Sequence, residues 1–293
     1  MNAKDVRKKI GTVQNVKKIT NAMQMVSAVK MKKAQKEALE GRTYREMLDE
    51  IMKKIMMKTS DVKSLQIPWL NPAEGTKDLY ILVSSNKGLC GSFHTNLFKF
   101  VFSLLKNDDK AEFVTVGKKG ADFATAMRKS VVADFSGQHS ADDVSPIFSL
   151  IQEKFLSGEY GKILLVYNKF ISSLRSEPVC QQLLPVQDVK PLEVEKTAAV
   201  EPDDKMALDY VIEPSVDELL GPLIEDYLRE KIRSALADSE ASEHSARMIA
   251  MKNATDNAGE LVYSLTLLRN KIRQSQITNE LLDMIAAKAS TEL

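Results

Sequence analysis

Proline is absent from two long terminal segments of the chain. The first proline is Pro68 and the last is Pro222, and glycine is sparse on either side of them. Because proline breaks a helix and glycine weakens it, these segments favour uninterrupted helix. The sequence predicts one helix within residues 1–60 and a second over residues 215–290, with a kink at its opening turns next to Pro222.

Helices of this length cannot each bury an apolar face against a small core. At 1.5 Å per residue they span roughly 80 Å and 105 Å. In both, apolar side chains recur at steps of three and four, which is typical of a coiled-coil seam. The residues are Val6, Ile10, Val13, Val16, Ile19, Met23, Val26 and Val29 in the first, and Leu261, Leu265, Leu268 and Ile272 in the second. We therefore predict an antiparallel coiled coil that projects from the middle of the chain.

The middle, residues 76–185, has the composition of a compact core, because thirteen of the eighteen aromatic residues lie between Tyr80 and Phe170. Apolar runs alternate with amphipathic segments, a pattern that indicates an α/β fold. We predict a Rossmann-like, three-layer domain with a mainly parallel sheet and an antiparallel fifth strand. The predicted strands are 79–85, 112–117, 130–135, 162–170 and 177–184, and the predicted helices are 92–106, 118–129 and 141–156.

Charge is unevenly distributed although 41 basic residues nearly balance 40 acidic ones. Residues 1–36 carry ten lysines and arginines against one acid, whereas residues 188–230 carry thirteen acids against four bases. Residues 186–214 are rich in proline and acid, so we interpret them as a connector. The basic first helix is compatible with an acidic protein partner or with nucleic acid, but no aromatic side chains interleave its lysines for base stacking.

Several classes of protein are excluded or disfavoured. The longest apolar runs have five residues, whereas a membrane-spanning helix needs about 20, so we expect no direct membrane span. The first residues have no apolar segment of the kind found in secretory signals. Two cysteines cannot form a disulfide scaffold, and three scattered histidines lack the spacing of metal ligands. We expect no metal and no cofactor.

Two segments invite a chemical interpretation. The turn SSNKGLCGS (84–92) follows a strand and opens a helix, but its lysine precedes the glycines, unlike a phosphate-binding loop. It is either an anion site or a tight turn. Within it, Cys90 is either a nucleophile near His94 or a small packing residue. The segment NKIRQSQITNE (270–280) concentrates polar side chains, as either a solvated face or a contact surface.

Five stretches in order resemble one family along the whole chain. They are IGTVQNVKKITNAMQMVSAVKMKKAQ (10–35), SSNKGLCGSFHTN (84–96), DYVIEP (209–214), SEHSARMIAMKNATDNAGEL (242–261) and RQSQITNELLDMI (273–285). The family is that of the gamma subunits of F-type ATP synthases. The chain departs from its turn pattern at Asn86, Ser92, Phe93 and His94, and from its Gly-Ala pair at Ala287 and Lys288.

The resemblance implies a rotor with no active site of its own. In that family the terminal helices turn inside a ring of alpha and beta subunits, and the globular foot binds the epsilon subunit and the membrane c-ring. Proton-driven rotation is thereby coupled to ATP synthesis or hydrolysis in the beta subunits. No transit peptide and no redox-switch insertion are recognisable, so we expect a peripheral membrane protein on the cytoplasmic face of a bacterial inner (plasma) membrane.

The resemblance also implies roles for particular residues. Arg273, Gln274 and Thr278 match family positions that bind the catch loop of the beta subunit. Met23 matches the position that faces the acidic loop of the beta subunit, and Arg247 matches a basic position tied to coupling on the facing helix.

In the foot, Tyr210 and Glu213 match family positions near the epsilon subunit and the c-ring. All these assignments follow from the resemblance alone.

Overall fold

The computed structural model describes residues 3–58, 67–70, 75–107, 110–137, 143–186 and 216–291. Every helix and strand predicted from the sequence is present. In chain order, the elements are α1 (Ala3–Lys58), β1 (Lys77–Val83), α2 (Phe93–Leu104), β2 (Glu112–Val116), α3 (Lys118–Ala126), β3 (Ser130–Asp134), α4 (Ser145–Leu156), β4 (Tyr160–Ser172), β5 (Arg175–Leu184) and α5 (Val216–Thr291).

The five strands form one sheet in the order β3-β2-β1-β4-β5. The first four strands are parallel, and β5 pairs antiparallel with β4 through a tight hairpin. This confirms the predicted mainly parallel sheet with an antiparallel fifth strand. Alternate residues of β1 face opposite sides of the sheet, and both sides are buried, which explains why its last five residues, 79–83, are all apolar.

The sheet lies between two layers of helix. Helices α2 and α3 cover one face, where Leu97, Val101 and Ala124 pack against Tyr80 and Leu82. Helix α4 covers the opposite face together with parts of α1 and α5. The predicted three-layer architecture is therefore confirmed.

The base of the coiled coil belongs to the core of this domain. Met52 of α1 and Ile224 of α5 are fully buried, in one apolar cluster with Ile81 of the sheet and Trp69. The predicted coiled coil therefore projects from the domain only beyond this base, where both helices are part of the core. The reason is geometric, because α4 alone is too narrow to cover one face of a five-stranded sheet.

Helices α1 and α5 are antiparallel, as predicted. The hydroxyl groups of Thr20 and Thr255 are hydrogen-bonded across the pair at 2.7 Å, and Arg45 forms an ion pair with Glu230 much nearer the base. In this register residue 3 faces about residue 272. The segment 273–291 therefore extends past the start of α1 by about 28 Å.

The predicted seam of α1 is only partly correct. Val6 and Ile10 are buried, but Val16, Ile19, Val26 and Val29 are exposed. The observed seam continues through the polar residues Thr20 and Ser27 to Met31 and Ala34. In α5, Leu265 and Ile272 lie half-buried on the seam, while Leu261 and Leu268 are exposed beside it. Both helices thus carry a second apolar stripe that faces outward.

Candidate functional site

The outer part of α5 presents an exposed surface of mixed character. Arg273, Gln274 and Thr278 are all exposed, and the Thr278 hydroxyl donates to the Gln274 carbonyl at 3.0 Å, one helical turn away. Around them, five large apolar side chains are also exposed: Ile277, Leu281, Leu282, Met284 and Ile285. Contiguous exposed apolar surface of this kind marks a site of protein contact. The structure therefore brings three of the predicted contact residues together on a part of α5 that no other described helix or strand accompanies.

Helix α1 offers a basic surface next to its outward apolar stripe. All ten lysines and arginines between residues 4 and 36 are exposed, while Val29 on the outward stripe is 70% exposed. Such a surface attracts an acidic partner over a long range without fixing one orientation, because exposed ion pairs are individually weak. Met23, the predicted contact on this helix, is half-buried at the edge of a cleft between the coiled coil and the sheet.

This cleft has a volume of about 630 Å³ and lies at the carboxyl ends of β1 and β2. Its floor is apolar and includes Val83, Val116 and Ile147, and the wall formed by α5 includes Glu240 and Arg247. The carboxyl edge of a parallel sheet is the usual place for ligands in α/β proteins. The turn at residues 84–92, which we considered as an anion site, forms part of its rim.

Arg247 reaches from α5 to the turn at this rim. Its side chain is only 7% exposed. Its guanidinium group donates to the carbonyl oxygens of Lys87 and Gly88, each at 3.2 Å, and forms an ion pair with Glu243 at 2.5 Å. The fourth partner of the guanidinium group is Nδ1 of His244, at 3.2 Å, which must accept because arginine has no acceptor. The turn thus offers carbonyl oxygens to a cation, which supports the interpretation as a structural turn.

The second chemical interpretation, a nucleophilic Cys90, also fails on geometry. Cys90 is 2% exposed, and burial raises the pKa of its thiol, which disfavours the reactive thiolate. The His94 ring bonds elsewhere: its Nε2 lies 3.0 Å from the hydroxyl of Ser85, which donates to the Lys87 carbonyl. Burial lowers the pKa of His94, and its ring stacks on Phe98. Both residues therefore serve packing, and the bond between Ser85 and His94 left no signal in the sequence.

The two predicted foot residues, Tyr210 and Glu213, fall outside the described residues, as do residues 187–214 of the acidic connector. Within the described ranges, no cluster of three or more potential metal ligands occurs. None of the helices in those ranges has the length and apolar character needed to cross a membrane.

Comparison with known proteins gives one consistent result. The ATP synthase family profile matches residues 2–290. The ATP synthase gamma chain of Glaesserella parasuis is 36% identical over 295 aligned positions, which cover 98% of this chain and 99% of the relative. That of Akkermansia muciniphila is 34% identical and covers 99% of both.

Solved structures show the same fold. A chain of the Euglena gracilis mitochondrial ATP synthase superposes with a TM-score of 0.66 at 18% identity, covering 99% of this chain and 94% of its own length. A chain of the Tetrahymena thermophila mitochondrial ATP synthase, from its central stalk and c-ring, gives 0.60 at 23% identity, covering 80% and 99%. Since the sequence relatives match over nearly their full lengths, the chain belongs to the gamma-chain family of the ATP synthases.

Proposed function

We propose that this chain is the central rotor shaft of an F-type proton-translocating ATP synthase. It turns inside a ring of alpha and beta subunits and couples rotation of the membrane c-ring to the catalytic states of the beta subunits. The observation that carries the proposal is the pairing of two features in one molecule. The chain matches gamma chains along its whole length, and α5 extends well past α1 with an exposed contact surface.

Torque transmission follows from how the shaft is anchored. The base of α1 and α5 is part of the domain core, with Met52 and Ile224 fully buried. Packed cores resist deformation, so the domain and the lower shaft turn as one body. The slender outer part of α5 then carries that rotation to the contact surface.

Coupling requires that the shaft contact the three beta subunits unequally. A rotor with the same contacts on every side would shift no equilibrium between conformations of the beta subunits. In the proposed mechanism, the basic face of α1 attracts acidic loops at all angles. Directional bonds from Arg273, Gln274 and Thr278 to one beta subunit then define where rotation pauses.

Two further regions complete the proposed contacts. Met23 lies beside the acidic loop of the beta subunit. The side chain of Arg247 is buried, so it acts on this loop only through the turn at residues 84–92, which its hydrogen bonds hold in place. Tyr210 and Glu213 belong to the foot that meets the epsilon subunit and the c-ring. The proposed location is the cytoplasmic face of a bacterial inner membrane, where the protein is held peripherally by these partners.

Purification of the complex tests this proposal. An affinity-tagged copy of the chain, expressed in its own host, is extracted from membranes in mild detergent and purified. We expect alpha, beta, epsilon and c subunits to co-purify in fixed ratios, with ATP hydrolysis in the complex and none in the isolated chain. Recovery of the chain without these subunits, or ATP turnover by the chain alone, would contradict the proposal.

A further inference from the structure

The cleft between the coiled coil and the sheet combines a buried apolar floor with exposed cations. Val83, Val116 and Ile147 form the floor and are buried, whereas Lys30 of α1 and Lys87 of the turn after β1 are exposed in its lining. Its volume of about 630 Å³ lies in the range of pockets that bind small organic molecules. The cleft therefore has the size and the lining of a ligand site.

A buried hydroxyl group in the lining is open to a partner. Ser27 of α1 is only 3% exposed and lines the cleft, and its hydroxyl group forms no hydrogen bond with any described residue. Other hydroxyl groups between the two long helices are satisfied, as in the bond between Thr20 and Thr255. Buried polar groups are normally hydrogen-bonded, so the Ser27 hydroxyl is available to a molecule that enters the cleft.

The acidic side chains of the lining are already paired. Glu243 forms an ion pair with Arg247, and the Nε2 atom of His244 lies 3.4 Å from a carboxylate oxygen of Glu240. The third acid, Asp143, accepts a backbone N–H at 3.1 Å. The three carboxylates thus face a basic group or a hydrogen-bond donor of this chain, although the acids of the lining equal its lysines and arginines in number.

The two lysines of the lining have no such partner. Within the described part of the chain, neither Lys30 nor Lys87 forms an ion pair. Lys30 follows Ser27 by three residues, so the two side chains lie on the same face of α1. Lys87 belongs to a turn whose backbone is bonded to Arg247, so its side chain, rather than its backbone, is available to an anion. The groups without a partner are therefore hydrogen-bond donors, and the group that fits them is an anion.

We propose that this cleft binds an anionic amphiphile, which is a molecule with one anionic head group and a straight apolar chain. The ammonium groups of Lys30 and Lys87 and the hydroxyl group of Ser27 bind the head group, and the apolar chain lies on the floor of the cleft. Free fatty acids and single-chain phosphate lipids share this chemistry. The site goes beyond the proposed role as a rotor and does not depend on it.

Such a ligand contacts the elements that join the shaft to the domain. Helix α1, the turn after β1 and α5 all line the cleft, so a molecule that fills it touches all three. Because the cleft exists only in the folded chain, the ligand stabilises the fold by mass action. The melting temperature of the full-length chain should therefore rise when the ligand is added at about 10-fold above its Kd.

Isothermal titration calorimetry on the purified full-length chain tests the site. The probes are decanoate and decyl phosphate, below their critical micelle concentrations, with decylammonium as a cation of the same chain length. We expect an anion to bind saturably at one site, with a Kd at least about 10-fold lower than that of decylammonium. The tighter-binding anion tells whether the head group is a carboxylate or a phosphate. The absence of saturable anion binding, or decylammonium binding of equal affinity, would overturn the proposal.

A matched pair of charge variants locates the site. Lys30→Gln with Lys87→Gln removes both cations from the cleft, whereas Lys8→Gln with Lys9→Gln removes the same charge from an exposed part of α1 roughly 30 Å away. We expect the anion Kd to rise about 10-fold or more in the cleft variant and to stay within about 2-fold in the control. A cleft variant that binds as tightly as the original chain, or equal losses in the two variants, would overturn the proposal.

The variant Ser27→Ala tests the position of the head group. Since this hydroxyl group has no partner among the described residues, its removal should not lower the melting temperature of the free chain. We expect the anion Kd to rise about 3-fold or more, because a hydrogen bond to the charged head group is lost. A lower melting temperature with an unchanged Kd would show a structural role and overturn the assignment of Ser27 to the site.

Discussion

Asp238 gives the joint between shaft and domain a measurable dependence on pH. It lies on α5 where this helix meets α1 and β4, and it is faced by Arg45 from α1 and by Lys169 and Tyr167 from β4. Burial raises the pKa of Asp238 from 3.8 to about 6, against the opposing attraction of the two cations. Its carboxylate is therefore ionised near neutral pH at an energetic cost to the fold.

The sign and size of the effect follow from linkage. Because the folded chain holds this proton more tightly than the unfolded chain, stability decreases as pH rises from about 4 to 6 and then levels off. A shift of roughly two pKa units corresponds to about 3 kcal/mol of unfolding free energy above the folded pKa. Asp238→Asn mimics the protonated form, so the variant should be more stable than the original chain by about 3 kcal/mol at about pH 7.5. The gap should narrow to about 1 kcal/mol at about pH 4.5.

Urea unfolding of both chains at these two pH values measures the gap. Asp226→Asn, at an exposed position of the same helix, serves as the matched control and should change stability by less than about 0.5 kcal/mol at either pH. A stability gap for Asp238→Asn that does not change with pH would refute the reasoning. If Asp238→Asn is less stable than the original chain near neutral pH, then the attraction of the carboxylate to Arg45 and Lys169 outweighs the cost of burying its charge.

Three further predictions address the shaft, the core and the thiol. The double variant Arg273→Ala, Gln274→Ala should change the free energy of unfolding by less than about 0.5 kcal/mol, because both side chains are exposed. It should nevertheless impair ATP-driven proton pumping in inverted vesicles, and normal pumping would contradict the contact role. Met52→Ala should lower the free energy of unfolding, measured in urea, by about 2–5 kcal/mol, whereas the control Val29→Ala should lower it by less than about 0.5 kcal/mol. Similar losses for the two variants would contradict a shaft base that is part of the core. Cys90 should resist iodoacetamide in the folded chain, and rapid alkylation before unfolding would contradict its burial.

The sequence predicted the elements of the fold because their signals are local. The absence of proline from α1 and, after Pro222, from α5, together with sparse glycine, identifies the two long helices. Continuous apolar runs such as residues 79–83 of β1 identify strands buried on both faces. Alternation of strands and helices then implies a parallel sheet. The short turn between β4 and β5 favours antiparallel pairing, as observed.

The sequence did not predict which face of α1 meets α5. Spacing of apolar residues selects Val16 and Val26, but the structure places Thr20 in the contact, bonded to Thr255. Two hydroxyl groups that satisfy each other can be buried, whereas hydrophobicity alone assigns them to the surface. The outward stripe remains apolar in this chain, which is consistent with a partner that covers it.

Some residues of the candidate site were predictable from the sequence and others were not, because only some of their signals are local. The cluster at Arg273 and Gln274 is visible in the sequence, since its concentration of polar groups is unusual in a helix. The role of Arg247 depends on carbonyl oxygens about 160 residues away, at Lys87 and Gly88, which no local pattern reports.

Rotation of the chain inside its ring tests the central claim most directly. Ser157→Cys, made together with Cys180→Ser, places an exposed thiol in the turn after α4, near the amino edge of the sheet, while Cys90 is buried. A bead attached there, on complexes fixed through their ring, is followed by light microscopy after ATP is added. The account predicts that the bead turns in one direction for as long as ATP is hydrolysed. A bead that stays still while the same assembled complexes hydrolyse ATP would contradict it.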